Sequence, residues 1–184
     1  MKKTILMILA IVLFSMINNF GFASTPKFDE EMKEILKAYL IIPKSLAADK
    51  TDGVKESAKK ISSLAKKLDS STVTGKHAEH YKNIPVKLQK AADELAKAKD
   101  IAAMRNALKE LSKPMAMWAS MSKPKGVSVI YCSMAPGSWL QKDNTTIANP
   151  YYGKKMLRCG EIVSGFGAGT KDGHMKAEKR KKNN

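Results

Sequence analysis

Two short motifs in the C-terminal part hold the only cysteines of the chain, Cys132 and Cys159. Each cysteine has a methionine close by, because Met134 follows the first and Met156 precedes the second. Thiolate and thioether sulfurs are soft ligands, which select Cu(I) over hard cations. These four residues are therefore the first candidate metal site, with Cu(I) or Ag(I) as the ion. Cysteine ligands must lose their protons to bind a metal, so we expect binding to weaken at low pH.

The same two cysteines could instead form one disulfide. A bond between Cys132 and Cys159 would close a long loop and stabilise the fold by about 3–4 kcal/mol on the chain-entropy argument. Met134 and Met156 would then only fill gaps in a small core. Both interpretations stay open on the sequence, and they are compatible because a disulfide can be reduced before a metal is loaded.

Two further groups of side chains are weaker metal-site candidates. Met117 and Met121 lie four residues apart, so they share one face of a helix and could offer a thioether surface. His77 and His80 lie three residues apart, a spacing that can place two imidazoles on one metal. Burial of the methionines and simple exposure of the histidines are the alternatives.

Signatures of catalysis are missing from the sequence. It has no His-Glu-x-x-His pair, no Gly-x-Ser-x-Gly elbow and no phosphate-binding glycine loop. The two cysteines are also too far apart along the chain for the Cys-x-x-Cys motif of thiol oxidoreductases. We therefore expect a protein that is not an enzyme.

Residues 1–23 are typical of a cleavable signal peptide. Lys2 and Lys3 provide a basic start, an uncharged apolar run follows, and Gly21-Phe22-Ala23 is a small-x-small cleavage site. The apolar run is short for a transmembrane helix, and an uncleaved membrane anchor is the alternative. We expect export to the periplasm as a soluble protein, in a compartment where disulfides persist.

The composition is strongly basic. The formal charge is +16, from 33 lysines and arginines against 17 aspartates and glutamates, and nearly all of the basic residues are lysines. Because nucleic-acid readers depend on the bidentate contacts of arginine, we expect no nucleic-acid partner. A solvated surface, or a weak and salt-sensitive association with anionic membrane or with an acidic partner, fits this charge.

The region 24–122 shows the periodicity of amphipathic helices. The first predicted helix spans Phe28–Leu40, and the second spans Ser45–Leu68 with a possible interruption at Asp52-Gly53. The third spans His77–Ala98, with an irregularity allowed at Pro85. The fourth follows the N-cap residue Asp100. Pro43 should end the first helix, and Pro114 should end or kink the fourth. Four such segments with short connections predict a mainly α protein, an antiparallel bundle of about four helices.

The pattern changes after residue 122. Val127, Val129 and Tyr131 alternate as in a short strand, Glu161-Ile162-Val163 predicts a second, and turn residues fill the space between. We expect residues 123–164 to form a small loop-rich module with short β-strands, packed on the bundle. The glycine- and lysine-rich residues 165–184 read as a disordered basic tail.

Three short motifs in this module together match the pattern of a known family. They are Tyr131-Cys132-Ser133-Met134-Ala135, Gly137-Ser138-Trp139-Leu140, and a closing motif from Asn149 to Gly160. Together they resemble a bacterial family of exported domains of unknown function, whose members also occur as the C-terminal extension of copper/silver-efflux membrane-fusion proteins. Ser133 stands where the family pattern has proline. A looser similarity extends over residues 28–163.

The resemblance implies an exported helical domain that handles copper or silver. Such a protein would sequester the ion or hand it to an efflux system, with a membrane-fusion protein as its partner. The alternative is a metal-free periplasmic interaction module, in which the bundle binds a partner and the two cysteines form a structural disulfide.

Overall fold

The computed structural model describes residues 26–75 and 78–165. Within them the helices are α1 Pro26–Tyr39, α2 Ile41–Ala47, α3 Val54–Ala65, α4 Ala78–Lys82, α5 Ile84–Lys97 and α6 Ile101–Ser122. The described residues also contain the strands β1 Val127–Cys132, β2 Gly137–Lys142 and β3 Glu161–Gly165, with a short 3-10 helix at Gly153–Met156. The protein is thus mainly α with a small β module, as the sequence predicts. The predicted signal peptide and the predicted tail beyond residue 165 lie outside the described residues.

The longer helices pack around one apolar core. Helix α3 lies between α1 and α5, and α6 packs on α5. The apolar stripe predicted for the first helix is buried, with Phe28, Met32 and Ile35 fully shielded from solvent. Asp100 caps α6 as predicted, because its carboxylate accepts a hydrogen bond from the Ala103 amide at 2.8 Å. No helix in the two described ranges is long and apolar enough to cross a membrane.

Three prolines test the predicted helix limits. Helix α1 ends at Tyr39, beside the predicted limit Leu40, but Pro43 does not end it, because Pro43 lies in the first turn of α2, where its missing N–H costs little. The predicted third helix is divided into α4 and α5 with Pro85 in the first turn of α5, so the irregularity allowed at Pro85 is confirmed. Pro114 does not end the last helix, since α6 continues through it to Ser122.

The three strands form one antiparallel sheet in the order β2-β1-β3. β1 and β3 confirm the two predicted strands, whereas β2 lies in a stretch for which the sequence predicts only loop. The register pairs Cys132 with Gly137 of β2 and Tyr131 with Glu161 of β3. The C-terminal end of β1 therefore lies beside the first residues of both neighbours. Residues 127–165 are named the sulfur module below.

Buried hydroxyl groups join the sulfur module to the helices, where β2 packs on α6 and α2. The Tyr39 hydroxyl lies 2.6 Å from the Ser112 hydroxyl and accepts a hydrogen bond from the Leu140 amide at 3.2 Å. The Tyr151 hydroxyl donates to the Ser138 carbonyl and lies 3.4 Å from Ser112. Burial raises the pKa of Tyr39 to about 12 and raises the pKa of Tyr151 further, so both phenols stay protonated and the contact stays neutral.

Candidate functional site

The fold brings the two cysteines together at one end of the sheet. Cys132 is the last residue of β1 and is buried, with 1% of its surface exposed, while Cys159 is half-buried in the loop that leads into β3. Their Sγ atoms lie 2.7 Å apart. Both are free thiols. The disulfide that the sequence leaves open is therefore not present, and the pair is a dithiol, named the sulfur pair below.

A tight turn after β1 surrounds the Cys132 sulfur with donors. The Ala135 amide donates to the Cys132 Sγ at 3.4 Å, and the Met134 amide and the Asn149 side chain also donate to it. Burial of Cys132 disfavours its thiolate, but the hydrogen bond from Cys159 and these amide donors outweigh burial and hold the pKa of the Cys132 thiol below its usual value. The thiolate form of Cys132 is thus the stabilised one.

Cys159 has the opposite electrostatics. Its hydrogen bond to the Cys132 sulfur, burial, and the charge of the Cys132 thiolate raise the pKa of the Cys159 thiol, in that order of size, although the Met134 amide lowers it. The two groups are close enough that their protons come off as a pair. The first proton leaves a thiolate centred on Cys132, and Cys159 holds the second proton to higher pH.

Asn149 organises the loop that carries Cys159. This asparagine is fully buried, and its Nδ2 donates to the Cys159 carbonyl at 2.9 Å. Its Oδ1 accepts hydrogen bonds from the Tyr151 amide at 2.8 Å and the Tyr152 amide at 3.3 Å. The main-chain amide of Asn149 donates to the Leu157 carbonyl at 2.8 Å. One side chain therefore fixes both ends of the loop and also reaches the Cys132 sulfur.

An arginine on α6 fastens the same loop to the helices. Arg105 donates to the Pro150 carbonyl at 2.9 Å, to the Leu46 carbonyl at 2.9 Å and to the Asp49 carboxylate at 2.5 Å. The bond from Arg105 and the bond from the Lys154 amide hold the pKa of Asp49 below its usual value. Gly153 lies against this pair at a positive φ of 58°, and a Cβ there would collide with Asp49 and Arg105.

Two more glycines let aromatic rings approach the backbone beside Cys132 and Cys159. A Cβ on Gly137 would lie 2.9 Å from the ring of Tyr151, and a Cβ on Gly160 would lie 2.7 Å from the ring of Trp139. The Trp139 and Tyr151 rings meet edge to face at 5.8 Å. Gly160 directly follows Cys159 and has a φ of 150°. Glycine is therefore the residue that allows the strand and the loop to approach these rings so closely.

The two methionines of the candidate site lie at its rim. The Met134 backbone faces both sulfurs, while its side chain is 64% exposed. Met156 is the last residue of the 3-10 helix, is half-buried, and accepts the Cys159 amide on its carbonyl at 3.0 Å. The structure therefore brings Cys132 and Cys159 together directly, with Met134 and Met156 as neighbours through their backbones.

The weaker candidates lie on the helices. Met117 borders a groove between α5 and α6 whose lining comes entirely from those two helices, and Met121 is half-buried against the core. His80 is exposed on α4, and His77 lies outside the described residues. Within residues 26–75 and 78–165, no group of three or more histidine, cysteine or acidic side chains could hold a metal ion.

The fold and this geometry define a class of protein, a helical bundle that carries a small β module with a buried dithiol. Residues 35–126, half of the chain, match the family described as "Protein of unknown function (DUF3347)". The chain belongs to this family. The matched segment begins within α1, covers α2 to α6 and ends before β1, so both cysteines lie beyond it. No curated protein and no solved structure gives a match.

Sequence reasoning missed the residues that hold the sulfur pair in place. Asn149 enters the sequence argument only as the start of the closing motif, and Arg105 and Asp49 do not enter it. A buried asparagine between turn residues gives no signal of its own until its partners are known. The one available clue is that Arg105 is an arginine in a chain whose positive charge comes almost entirely from lysine. Arginine is preferred over lysine for fixed contacts with several acceptors.

Proposed function

We propose that this protein is an exported binder of soft metal ions, which takes up Cu(I) or Ag(I) as cargo on Cys132 and Cys159. The observation that carries the proposal is the convergence of the only two cysteines, with Sγ atoms 2.7 Å apart. Thiolates are the ligands that soft monovalent ions prefer. The two sulfurs come from distant parts of the chain and meet through the pairing of β1 with β3.

The electrostatics of the sulfur pair support metal capture. A metal binds the thiolate, so a site in which one thiol already favours ionisation loses less affinity to competition from protons. Cys132 is that thiol, and hydrogen bonds from Met134, Ala135 and Asn149 orient it. Cys159 then loses its proton when the ion binds. Metal uptake therefore releases protons, and affinity falls as the pH is lowered.

The exposure of the sulfurs also favours binding over thiol exchange. A cysteine that attacks a disulfide in another molecule needs an accessible thiolate. Here the stabilised thiolate belongs to the buried Cys132, and the more accessible Cys159 has the raised pKa. A small ion can reach Cys132 past Cys159, whereas a protein disulfide would have to displace the turn around it. Met134, exposed beside the pair, offers a thioether for first contact.

Export, a periplasmic location and transfer of the ion to an efflux membrane-fusion protein belong to the same proposal. They are supported by the signal-peptide pattern of residues 1–23 and by the resemblance of the motifs that hold Cys132 and Cys159. Fractionation of cells that express the full chain tests the location. We expect the processed protein in the periplasmic fraction, and full-length protein in the cytosol would contradict export.

The test of metal binding is a Cu(I) titration of the reduced protein in competition with a chromogenic chelator. We expect one ion per chain, and a loss of affinity of at least about 100-fold in Cys132→Ser and in Cys159→Ser, because each removes a ligand and not merely a supporting contact. Failure of the wild-type protein to withdraw Cu(I) from a chelator of moderate affinity would refute the proposal.

Methionine variants measure the part played by the rim. Met134→Leu and Met156→Leu keep the volume and remove the thioether, and we expect each to weaken Cu(I) binding by about tenfold. Met117→Leu is the matched control, since that methionine borders the groove between α5 and α6. An equal loss in the control would show that the effect comes from stability and not from ligation.

A further inference from the structure

Most of the large exposed apolar side chains in the described residues belong to the sulfur module. Six large apolar side chains are exposed in the described residues, and four of them, Met134, Tyr152, Ile162 and Val163, belong to the sulfur module. Tyr152 contacts the Met134 carbonyl through its hydroxyl at 3.4 Å. Ile162 and Val163 follow Cys159 by three and four residues. Neighbouring apolar exposure of this kind is typical of a surface that meets a partner.

Strand β3 has an open edge and two exposed apolar side chains. It is an edge strand, because β1 is its only hydrogen-bonded neighbour among the described strands. Ile162 is 60% exposed and Val163 is 53% exposed, and Val163 is a bulge residue that has no register partner on β1. The other edge strand, β2, packs on α6 and α2. An open apolar edge is a template for pairing with another chain.

The charges around β3 indicate which chain can pair there. Lys154, Lys155 and Arg158 are all exposed in the loop before β3. Two exposed acids lie near them, Glu161 at the start of β3 and Asp49, which accepts the Lys154 amide and is already paired with Arg105. A second copy of this chain would bring these cations opposite each other, and each copy carries a formal charge of +16. Like charges at an interface suppress association, whereas an acidic partner is attracted. Charge therefore opposes self-pairing and favours an acidic segment.

We propose that the outer edge of β3 is a docking site for another protein, which adds an extended strand with apolar and acidic residues in alternation. Main-chain hydrogen bonds to the outward-facing groups of β3 would supply the attachment, the exposed Ile162 and Val163 would supply apolar contacts, and the three cations would select the acidic residues. The site adjoins Cys159, so a docked strand would hold its protein beside the sulfur pair. Metal transfer to the docked protein rests on the proposed function. Docking itself needs no metal.

The test is a titration of the metal-free full chain, with labelled backbone amides followed by NMR. The probe is a synthetic peptide that alternates valine and glutamate, and its comparison is the same peptide with lysine in place of glutamate. We expect the acidic peptide to shift the amide signals of Glu161–Gly165 and to bind more weakly as salt is added. We expect the lysine peptide to bind at least about tenfold more weakly.

Variants locate the binding on β3. Val163→Glu and Ile162→Glu each remove an exposed apolar side chain and repel the acidic peptide, so each should weaken its binding about tenfold. Val86→Glu is the matched control, because Val86 is 67% exposed on α5, and it should leave binding unchanged. Equal binding of both peptides, or full binding by the Val163→Glu and Ile162→Glu variants, would overturn the proposal.

Two measurements on the free chain exclude the other occupants of this edge. A concentration-dependent dimer in sedimentation, lost in Val163→Lys, would mean that a second copy binds β3. Slow hydrogen exchange of the outward amides of β3 in the free chain, dependent on residues 166–184, would mean that the chain covers its own edge. Either result would overturn the proposal, and a monomer with fast exchange at β3 supports it. Because no step involves copper, these results are independent of the Cu(I) titration.

Discussion

Replacement of Asn149 by aspartate tests whether one side chain sets both the loop and the thiolate. The two side chains have nearly the same shape, so the introduced aspartate keeps an oxygen for the Tyr151 and Tyr152 amides. It loses the Nδ2 donor that reaches the Cys159 carbonyl at 2.9 Å and contacts the Cys132 sulfur. It also places a carboxylate oxygen against that carbonyl and a negative charge beside a thiolate.

The expected cost to stability follows from the buried groups that lose their partner. A buried carbonyl without its hydrogen bond costs about 1–3 kcal/mol, and the repulsion between the two oxygens adds to it. We expect the free energy of unfolding of Asn149→Asp to fall by about 2–4 kcal/mol, measured by urea denaturation. The lost donor and the added negative charge both disfavour the Cys132 thiolate, so its pKa should rise. Ultraviolet absorbance of the thiolate, followed against pH, measures that change.

Asn144→Asp is the matched control for this prediction. Asn144 is exposed in the loop after β2 and has a φ of 57°, a conformation that aspartate also tolerates. The same change of amide to carboxylate should therefore leave both stability and the thiol titration near their wild-type values. A folded Asn149→Asp protein whose Cys132 pKa is unchanged would refute the assignment of Asn149 as a donor to the thiolate.

Three further predictions follow from the same contacts. The free energy of unfolding of the wild-type protein, compared with that of a Cys132→Ser/Cys159→Ser double variant, should rise as the pH approaches the usual cysteine pKa of about 8.5 and fall at higher pH. The rise comes from the lowered pKa of Cys132 and the fall from the raised pKa of Cys159. A difference that changes in only one direction with pH would contradict this prediction. Tyr39→Phe removes the hydroxyl that the buried Leu140 amide and the Ser112 hydroxyl share. The free energy of unfolding, measured in urea, should fall by about 1–3 kcal/mol. An unchanged value would show that water replaces the hydroxyl. Arg105→Met removes the donor to the Pro150 and Leu46 carbonyls, so the free energy of unfolding should fall by about 2–3 kcal/mol and alkylation of Cys159 should become faster. The control Lys113→Met, at an exposed position on α6, should change neither quantity.

The helices could be predicted well because their burial is one-sided. The stripe that begins at Phe28 and the N-cap at Asp100 both follow from local rules, and both are present. Pro114 could not be interpreted in the same way. A proline removes one hydrogen bond and usually ends a helix, but here α6 continues, because the buried residues on both sides of it, Leu111 and Met115, keep it packed on the core.

Strand β2 escaped prediction because it lacks alternation. Trp139 and Leu140 are consecutive, yet both are fully buried. Trp139 lies against the Gly160 loop, while the Leu140 amide reaches Tyr39 on the side of the helices. A strand covered on both faces shows no period of two, so its pattern resembles an irregular apolar segment.

The meeting of the two cysteines depends on strand pairing, which a single sequence does not state. Both β1 and β3 could be predicted, but not that they are neighbours. Once they pair antiparallel with Tyr131 opposite Glu161, Cys132 and Cys159 must lie at the same end of the sheet. The hydrogen bonds of Asn149 then decide how closely the sulfurs approach. Local pattern supplies the elements, and long-range contacts supply the site.

The close approach of Trp139 to Gly160 gives the chain a built-in optical reporter. One indole lies on the residue that follows Cys159, so a ligand that displaces this loop will change the emission of Trp139. The other tryptophan of the chain, Trp118, donates its indole N–H to Asp29 at 3.0 Å between α6 and α1. Trp118 provides a reference signal far from that loop, and the two fluorophores together would report the proposed ion uptake without any label.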